Sequence, residues 1–211
     1  MFEPSEEPGE FYPAVGVGPH PLPFPTDDHF DEELLSNGDR RNIVDNFRYW
    51  KTSSIKEELK KSRSHVEVAI ENWQHDLNIG SLVRTANAFN VRKFHIVGKK
   101  HWNQHGALMT DKYLDLVHHP SIEAFLQYVK EQNFPLICFE NNTESSPLES
   151  FIFPKDPILL FGNEGLGISE ELLSVAESVV HITQKGSVRS INASAAGAIA
   201  LFEWQRQNYS Q

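Results

Sequence analysis

Residues 158–167 read ILLFGNEGLG, an apolar strand that runs directly into a glycine-rich turn. Further along the chain, Ile182 ends a second apolar strand and leads into a loop of small residues, GSVRSINAS at residues 186–194. Glycine lets the main chain approach a ligand closely and adopt positive φ, which leaves backbone N–H and C=O groups free to bind it. The two loops together predict one cofactor pocket that is built mostly from backbone.

Two familiar glycine-rich sites do not fit this turn. A Walker phosphate loop requires Gly-Lys followed by Ser or Thr, which the stretch lacks. A dinucleotide-binding fingerprint requires an acidic residue about twenty positions later, and residues 179–183 contain none. Taken alone, the turn is still compatible with an ordinary strand-to-helix connection.

Residues 72–89 supply a third block. They follow the apolar strand at residues 66–70 and are predicted to enter a helix at about Asn78, because Asn is a favourable N-cap and the apolar residues beyond it fall near one helical face. Arg84 then lies near the start of that helix, close to the carboxyl end of a strand. Open α/β sheets bind their ligands at this edge.

The three blocks, in this order and at these spacings, resemble the SpoU/TrmH branch of the SPOUT methyltransferases over residues 65–207. Two departures are visible: Thr183-Gln184 stands where many relatives have Pro-Met, and residues 191–193 read Ile-Asn-Ala where they have Leu-Asn-Val. The first removes a proline that would fix φ, and neither removes an obvious chemical group. The matching motifs are Asn-x-Gly-x-x-x-Arg at residues 78–84, Phe-Gly-x-Glu-Gly-x-Gly at residues 161–167 and Ser-Ile-Asn-Ala-Ser at residues 190–194.

Members of this branch transfer a methyl group from S-adenosylmethionine to a ribose 2′-hydroxyl of RNA. Helices that separate short apolar strands predict a parallel sheet with helices on both faces, and the resemblance adds a deep trefoil knot near the C-terminus. It also implies RNA as partner, with tRNA expected ahead of rRNA, and a homodimer formed with the help of the small-residue helix at residues 190–206. Two alternatives stay open: a non-catalytic knotted RNA-binding protein and an enzyme that methylates an RNA base.

The resemblance assigns Arg84 to activation of the hydroxyl. Because a guanidinium holds its proton very tightly, we favour a charged Arg84 that grips the neighbouring phosphate and stabilises the developing alkoxide; a proton-accepting Arg84 is the alternative. The other catalytic candidates are Asn78, Glu164, Ser190 and Asn192. The candidates for S-adenosylmethionine binding, largely through main chain, are Gly162, Gly165, Ile182, Gly186 and Ile191.

The chain of 211 residues has a net charge of −10, and its charged residues are distributed unevenly along the sequence. Residues 1–39 hold ten acids, no Lys or Arg and many prolines, which predicts a disordered acidic tail. Residues 40–64 hold eight Lys or Arg against three acids, which predicts a basic helical extension that contacts RNA phosphates or, alternatively, a solvated helix docked by its apolar residues. Residues 65–211 form the predicted methyltransferase domain.

Several function classes are disfavoured by composition. No apolar run approaches the roughly 18 residues that cross a membrane, and the start of the chain lacks the pattern of a signal peptide. The single cysteine, Cys138, excludes an intramolecular disulfide. The pairs His101 and His105, and His118 and His119, complete no recognised zinc spacing. The sequence therefore predicts a cytoplasmic protein without a metal or a membrane partner.

Overall fold

The computed structural model describes residues 16–73, 78–163 and 165–209. The chain divides into two compact units, Met1–Ile55 and Lys56–Gln211, which we call the N-terminal and C-terminal units. These boundaries differ from the predicted ones at residues 39 and 64, because the first half of the basic segment folds with the described part of the acidic tail.

The N-terminal unit is organised around the buried carboxylate of Asp39. This carboxylate accepts hydrogen bonds from the Arg41 side chain at 2.6 and 2.9 Å and from the Tyr49 N–H at 2.9 Å. Burial by itself would raise the pKa of Asp39, but these hydrogen bonds lower it to about 2. Residues 17 and 39 also pair through their backbones. The carboxylate therefore links residues 39–41 to residue 49, and the backbone of residue 39 adds residue 17.

The predicted disordered tail is accordingly wrong for residues 16–39. A short helix, α1 (Glu32–Asn37), begins after Asp31, whose side chain accepts hydrogen bonds from the N–H groups of Glu33 and Leu34. Such side-chain caps stabilise helix starts. Composition suggested disorder because the stretch is acidic and rich in proline, but the ion pair at Asp39 gives it an ordered centre. The predicted tail at residues 1–15 lies outside the described residues.

Most cations of the basic segment pair with other groups of this protein. Its second half forms the predicted helix, α2 (Thr52–Lys60). Seven of its eight cations bind a group of their own unit, and the predicted RNA contact of this segment stays a prediction. The partners are Asp39 for Arg41, Asp45 for Arg48, the Asp28 carbonyl for Lys51, Asp115 for Lys56 and Arg63, Glu57 for Lys60 and Glu58 for Lys61.

The C-terminal unit is built on a seven-stranded sheet in the order β3-β2-β1-β6-β4-β7-β5, and each neighbouring pair is parallel. The mixed α/β fold with a parallel sheet is therefore confirmed. The strands are β1 (Glu67–Asn72), β2 (Phe94–Gly98), β3 (Leu116–His119), β4 (Leu136–Phe139), β5 (Ser146–Pro147), β6 (Ile158–Phe161) and β7 (Ser178–His181), and the helices are α3 (Asn78–Ala88), α4 (Ile122–Gln132), α5 (Glu170–Val175) and α6 (Ala193–Asn208).

Helices cover both faces of this sheet. On one face, α3 and α6 contribute Leu82, Leu201 and Trp204 to a core cluster; on the other, α4 and α5 contribute Phe125 and Leu172. The central strands β1, β2, β4 and β6 are buried along their whole length. Strands buried on both faces read as continuous apolar runs, which is why the sequence revealed them.

Helix α6 lies against α3 because of a glycine. A Cβ on Gly197 would lie 2.2 Å from Cδ1 of Leu82, a distance that real Cβ atoms do not show. The buried face of α6 also includes Ala200, so the small residues of this helix serve packing within one subunit. Its opposite face leaves Ile199 and Phe202 exposed, at 41% and 62% of their surface.

A buried polar network joins β1, β2, β3 and α4. Glu67 accepts a hydrogen bond from Tyr128 at 2.8 Å and another from Arg92 at 2.9 Å, and it lies 2.9 Å from Nε2 of His95. The other ring nitrogen of His95 lies 3.0 Å from His119. Burial lowers the pKa of His95 despite the neighbouring carboxylate, and burial next to His95 lowers the pKa of His119 from 6.5 to about 4.

Acidification between pH 6.5 and 4 is expected to destabilise the protein through these histidines. They stay neutral in the folded state, whereas in the unfolded chain they take up protons near pH 6.5, so the free energy of unfolding falls as the pH drops. The slope is at most about 1.4 kcal/mol per pH unit for each histidine. Urea unfolding at pH 7.5, 6 and 5 would measure it. His119→Gln should flatten the dependence, His101→Gln on the exposed loop should not, and equal stability at pH 7.5 and 5 would contradict the expectation.

Within the described ranges, no helix is both long enough and apolar enough to cross a membrane.

Candidate active site

A cavity of about 570 Å³ lies at the carboxyl ends of β4, β6 and β7. Its walls come from the turn after β6, the segment after β7 and the first residues of α6, so the two loops singled out in the sequence meet here as predicted. Of the predicted cofactor-binding residues, Gly162, Gly165, Ile182 and Ile191 line it. Gly186 does not: it is exposed, and a Cβ built on it would meet nothing within 4 Å.

The turn after β6 closes on itself. The N–H of Asn163 donates to the Gly167 carbonyl at 3.1 Å, and the N–H of Gly167 donates back at 2.9 Å. A Cβ on Gly162 would lie 2.3 Å from the carbonyl carbon of Gly167, so the two ends of the turn approach only because residue 162 has no side chain. Gly165 and Gly167 have φ of 96° and 70°, which other residues adopt with strain.

Gly162→Ala is expected to disrupt this turn, because the clash is with backbone that cannot rotate away. Overpacking of this kind costs about 1–3 kcal/mol, and the reshaped cavity should bind S-adenosylhomocysteine, the demethylated form of the predicted cofactor, at least about tenfold more weakly. Thermal unfolding and calorimetric titration would measure both effects. Gly186→Ala is the matched control, since its site is open. Wild-type stability and affinity in Gly162→Ala would show that the close approach is not required.

Asn192 joins the motif at residues 78–84 to the motif at residues 190–194. Its side-chain oxygen caps α6 by accepting hydrogen bonds from the N–H and the hydroxyl of Ser194 at 2.8 and 2.6 Å. Its side-chain nitrogen donates to Oδ1 of Asn78, the first residue of α3. Asn192 and Ser190 both line the cavity. The start of α3 is therefore tied directly to the cavity wall.

Arg84 lies on α3 outside that wall. Its side chain is exposed and makes no hydrogen bond or ion pair within the described part of the chain. An unpaired guanidinium on the helix that begins at Asn78 is available to a phosphate of a bound substrate. Glu164, the remaining predicted catalytic residue, lies outside the described residues.

Residues 65–202 match the model of the SpoU rRNA methylase family. The chain belongs to this family. The tRNA (guanosine(18)-2′-O)-methyltransferase of Thermus thermophilus is 30% identical to it over 161 residues, which cover 72% of this chain and 80% of the relative.

Two solved structures of proteins connected with tRNA modification carry the same fold. The TrmH/SpoU tRNA modifying enzyme of A. aeolicus superposes with a TM-score of 0.66 at 26% identity, over 75% of this chain and 82% of that one. A protein studied for the 2-OH methylation of C/U34 on tRNA superposes with a TM-score of 0.61 at 26% identity, over 69% and 97% of the two chains. The predicted resemblance is confirmed, and so is the predicted class of a SAM-dependent RNA ribose 2′-O-methyltransferase.

Two residues of the cavity, Asn163 and Gln184, were not predicted from the sequence to be functional. Asn163 occupies the variable position of the Phe-Gly-x-Glu motif; it is 3% exposed, and neither of its amide atoms has a hydrogen-bond partner among the described residues. Gln184 belongs to the departure from Pro-Met, and its buried Oε1 is also unpaired there. No charge, spacing or periodicity marks either residue, so only their burial reveals them.

The segment that lacks the proline of the SpoU relatives makes one contact across the loop. The hydroxyl of Thr183 donates to Oε2 of Glu149 at 3.0 Å, which joins the segment after β7 to the segment after β5.

The cavity fits the predicted cofactor. Its volume lies within the range of pockets for molecules of this size, its glycines let main chain approach a ligand, and the orphaned amide atoms of Asn163 and Gln184 require polar partners. These features suit a molecule with a nucleoside part.

Proposed function

We propose that this chain methylates the ribose 2′-hydroxyl of a nucleotide in tRNA. The observation that carries the proposal is the junction of all three motifs: the glycine turn and the loop before α6 share one cavity, and Asn192 ties that loop to the helix of Arg84. The relative from Thermus thermophilus supports tRNA, since its name gives guanosine 18 of tRNA as its target. Ribosomal RNA, which the family's own name mentions, is the second candidate.

The chain's own groups position the reactants and stabilise charge. When bound, S-adenosylmethionine supplies a methyl group attached to a positively charged sulfur. The cavity walls hold the donor in a fixed orientation, which removes most of the entropic barrier to the reaction. Ser190, at the wall, has a hydroxyl that can donate to or accept from the ribose. Arg84 stays protonated, grips the adjacent phosphate and stabilises the 2′-oxygen as it loses its proton, and phosphate or water takes that proton.

The C-terminal loops are further proposed to form a deep trefoil knot, as in the predicted family fold. Support comes from the sheet order, in which β6 lies between β1 and β4 while β7 lies on the far side of β4. The loops after β6 and β7 then contribute to one cavity. A knot is a rare exception among protein folds.

A homodimer is also part of the proposal. Ala195, Ile199 and Phe202 follow one another along one side of α6, and the last two are largely exposed apolar side chains. The same helix lines the cavity with Ala193 and Ala196 at its start. A second copy packed on this stripe would therefore lie beside the active site. A cytoplasmic location, where tRNA is abundant, completes the proposal.

The reaction is tested with purified protein, methyl-labelled S-adenosylmethionine and separated tRNA and rRNA. After digestion to nucleosides, label in a 2′-O-methyl nucleoside from tRNA is the expected result. Label in a modified base would support the base-methylating alternative instead. Protein that binds the cofactor but labels no RNA would support the binding-only alternative. Label confined to rRNA would show that rRNA, not tRNA, is the substrate.

A further inference from the structure

Asn163 has a buried side chain with no partner for its polar atoms inside the described ranges. Its backbone is fixed independently by the paired hydrogen bonds with Gly167, so the turn does not need the side chain for its closure. Both Oδ1 and Nδ2 are buried and unpaired, and the residue lines the cavity. Buried polar groups in native proteins nearly always have a partner. The unpaired amide therefore points to a ligand group that binds it.

Three other polar side chains of the cavity are already engaged. Glu140 accepts hydrogen bonds from the N–H groups of Ile168 and Asn141 at 3.0 and 3.2 Å. The Asn141 side chain donates to the Arg189 carbonyl at 3.2 Å, and His181 lies 2.9 Å from the Ser145 hydroxyl. The buried atoms left for a ligand belong to two neutral amides, those of Asn163 and Gln184. This composition suits a neutral polar edge better than a carboxylate or an ammonium group.

The chemistry of a primary amide narrows the choice further. It presents one donor and one acceptor side by side, and adenine presents an amino donor next to a ring-nitrogen acceptor. Asn and Gln typically pair with this edge through two hydrogen bonds where proteins read adenine in the major groove of DNA. Within S-adenosylmethionine, the carboxylate offers only acceptors and the ammonium only donors, whereas each ribose hydroxyl can donate and accept. The adenine base is the part whose planar donor and acceptor lie side by side like those of the amide.

We propose that the side-chain amide of Asn163 reads the adenine base of the methyl donor and that Oε1 of Gln184 accepts a hydrogen bond from the same adenosyl part. The inference rests on the proposed function, because it takes S-adenosylmethionine as the cofactor. It goes beyond a pocket built from backbone, because the side chain of Asn163 selects the base and that of Gln184 contacts the adenosyl part. Gln184 stands where many relatives have Met, which has no comparable hydrogen-bonding group, so this second contact belongs to the present chain.

Calorimetric titration with S-adenosylhomocysteine and S-inosylhomocysteine tests the assignment. The second compound carries a carbonyl acceptor where adenine has its amino donor. The wild-type protein should bind the adenine compound about tenfold more tightly or better. In Asn163→Ala this preference should fall to nearly one. Asn163→Asp, which preserves the size of the side chain but loses the donor, should also lose or reverse the preference. Gln132→Ala, at the exposed end of α4, is the control that should keep it.

The preference separates recognition from structural damage. An Asn163 variant that binds both compounds more weakly but keeps the wild-type preference would overturn the proposal, because a purely structural residue affects both ligands alike. Gln184→Met should weaken binding of S-adenosylhomocysteine at least about threefold, and unchanged affinity would remove Gln184 from the site. If the wild-type protein bound neither compound, the proposed function would fail. If the wild-type protein methylated RNA and the Asn163 variants kept the wild-type preference for the adenine compound, only the inference about Asn163 would fail.

Discussion

Arg84→Ala is expected to lose RNA methylation by a factor of about 100 or more in kcat while it binds S-adenosylhomocysteine like the wild type. Removal of one group that stabilises a developing oxyanion typically has an effect of this size. The side chain is exposed, lies outside the cavity wall and binds no described residue. Its removal is therefore expected to leave the fold and the cofactor pocket intact. A loss of rate then reports on the chemical step or on binding of the substrate phosphate by Arg84.

Single-turnover methylation at saturating RNA separates these two contributions. Arg84→Lys keeps the charge but loses the planar fork, so partial activity in this variant would indicate that charge matters more than geometry. Lys130→Ala removes a cation from α4 on the other face of the sheet and is the matched control. If Arg84→Ala methylated RNA within a few-fold of the wild-type rate, the assigned role would be wrong.

Phe202→Asp is expected to convert the proposed homodimer into monomers. Phe202 is 62% exposed on the apolar stripe of α6, and no described residue covers it. Burial of an unpaired carboxylate in an apolar interface is strongly unfavourable, so the dissociation constant should rise by more than about a hundredfold. Because α6 also lines the cavity, methylation should fall together with dimerisation.

Light scattering coupled to size exclusion, over a range of protein concentrations, measures the state directly. Val175→Asp places the same charge on an exposed apolar position of α5 and should leave the dimer unchanged. A wild-type protein that is monomeric at all concentrations would disprove the dimer. A Phe202→Asp dimer of wild-type strength would move the interface to another surface.

The sequence revealed the sheet because its inner strands are buried on both faces and are therefore mostly apolar. It also revealed the cavity, because the glycines at residues 162, 165 and 167 are required by backbone geometry that other residues adopt poorly. Both signals are local. A residue type that a nearby physical constraint demands can be recognised without knowledge of the rest of the fold.

What the sequence did not reveal depends on partners that are distant in the chain. Composition gives the number of cations in residues 40–64, but it does not show that Lys56 and Arg63 bind Asp115. It described residues 16–39 as an acidic tail because nothing marks Asp39 as the buried centre of a unit. Asn163 was overlooked for the opposite reason: its importance lies in having no partner.

The position of β6 between β1 and β4 has a consequence for synthesis on the ribosome. β1, β2 and β3 emerge early and can pair with one another, but the open side of β1 and all of β4 must wait for β6, which leaves the ribosome near the end of the chain. Until then the nascent sheet has an exposed apolar edge, the kind of surface on which other chains add strands. The interval between the translation of β1 and that of β6 is thus the period in which this edge is open to pairing with other chains.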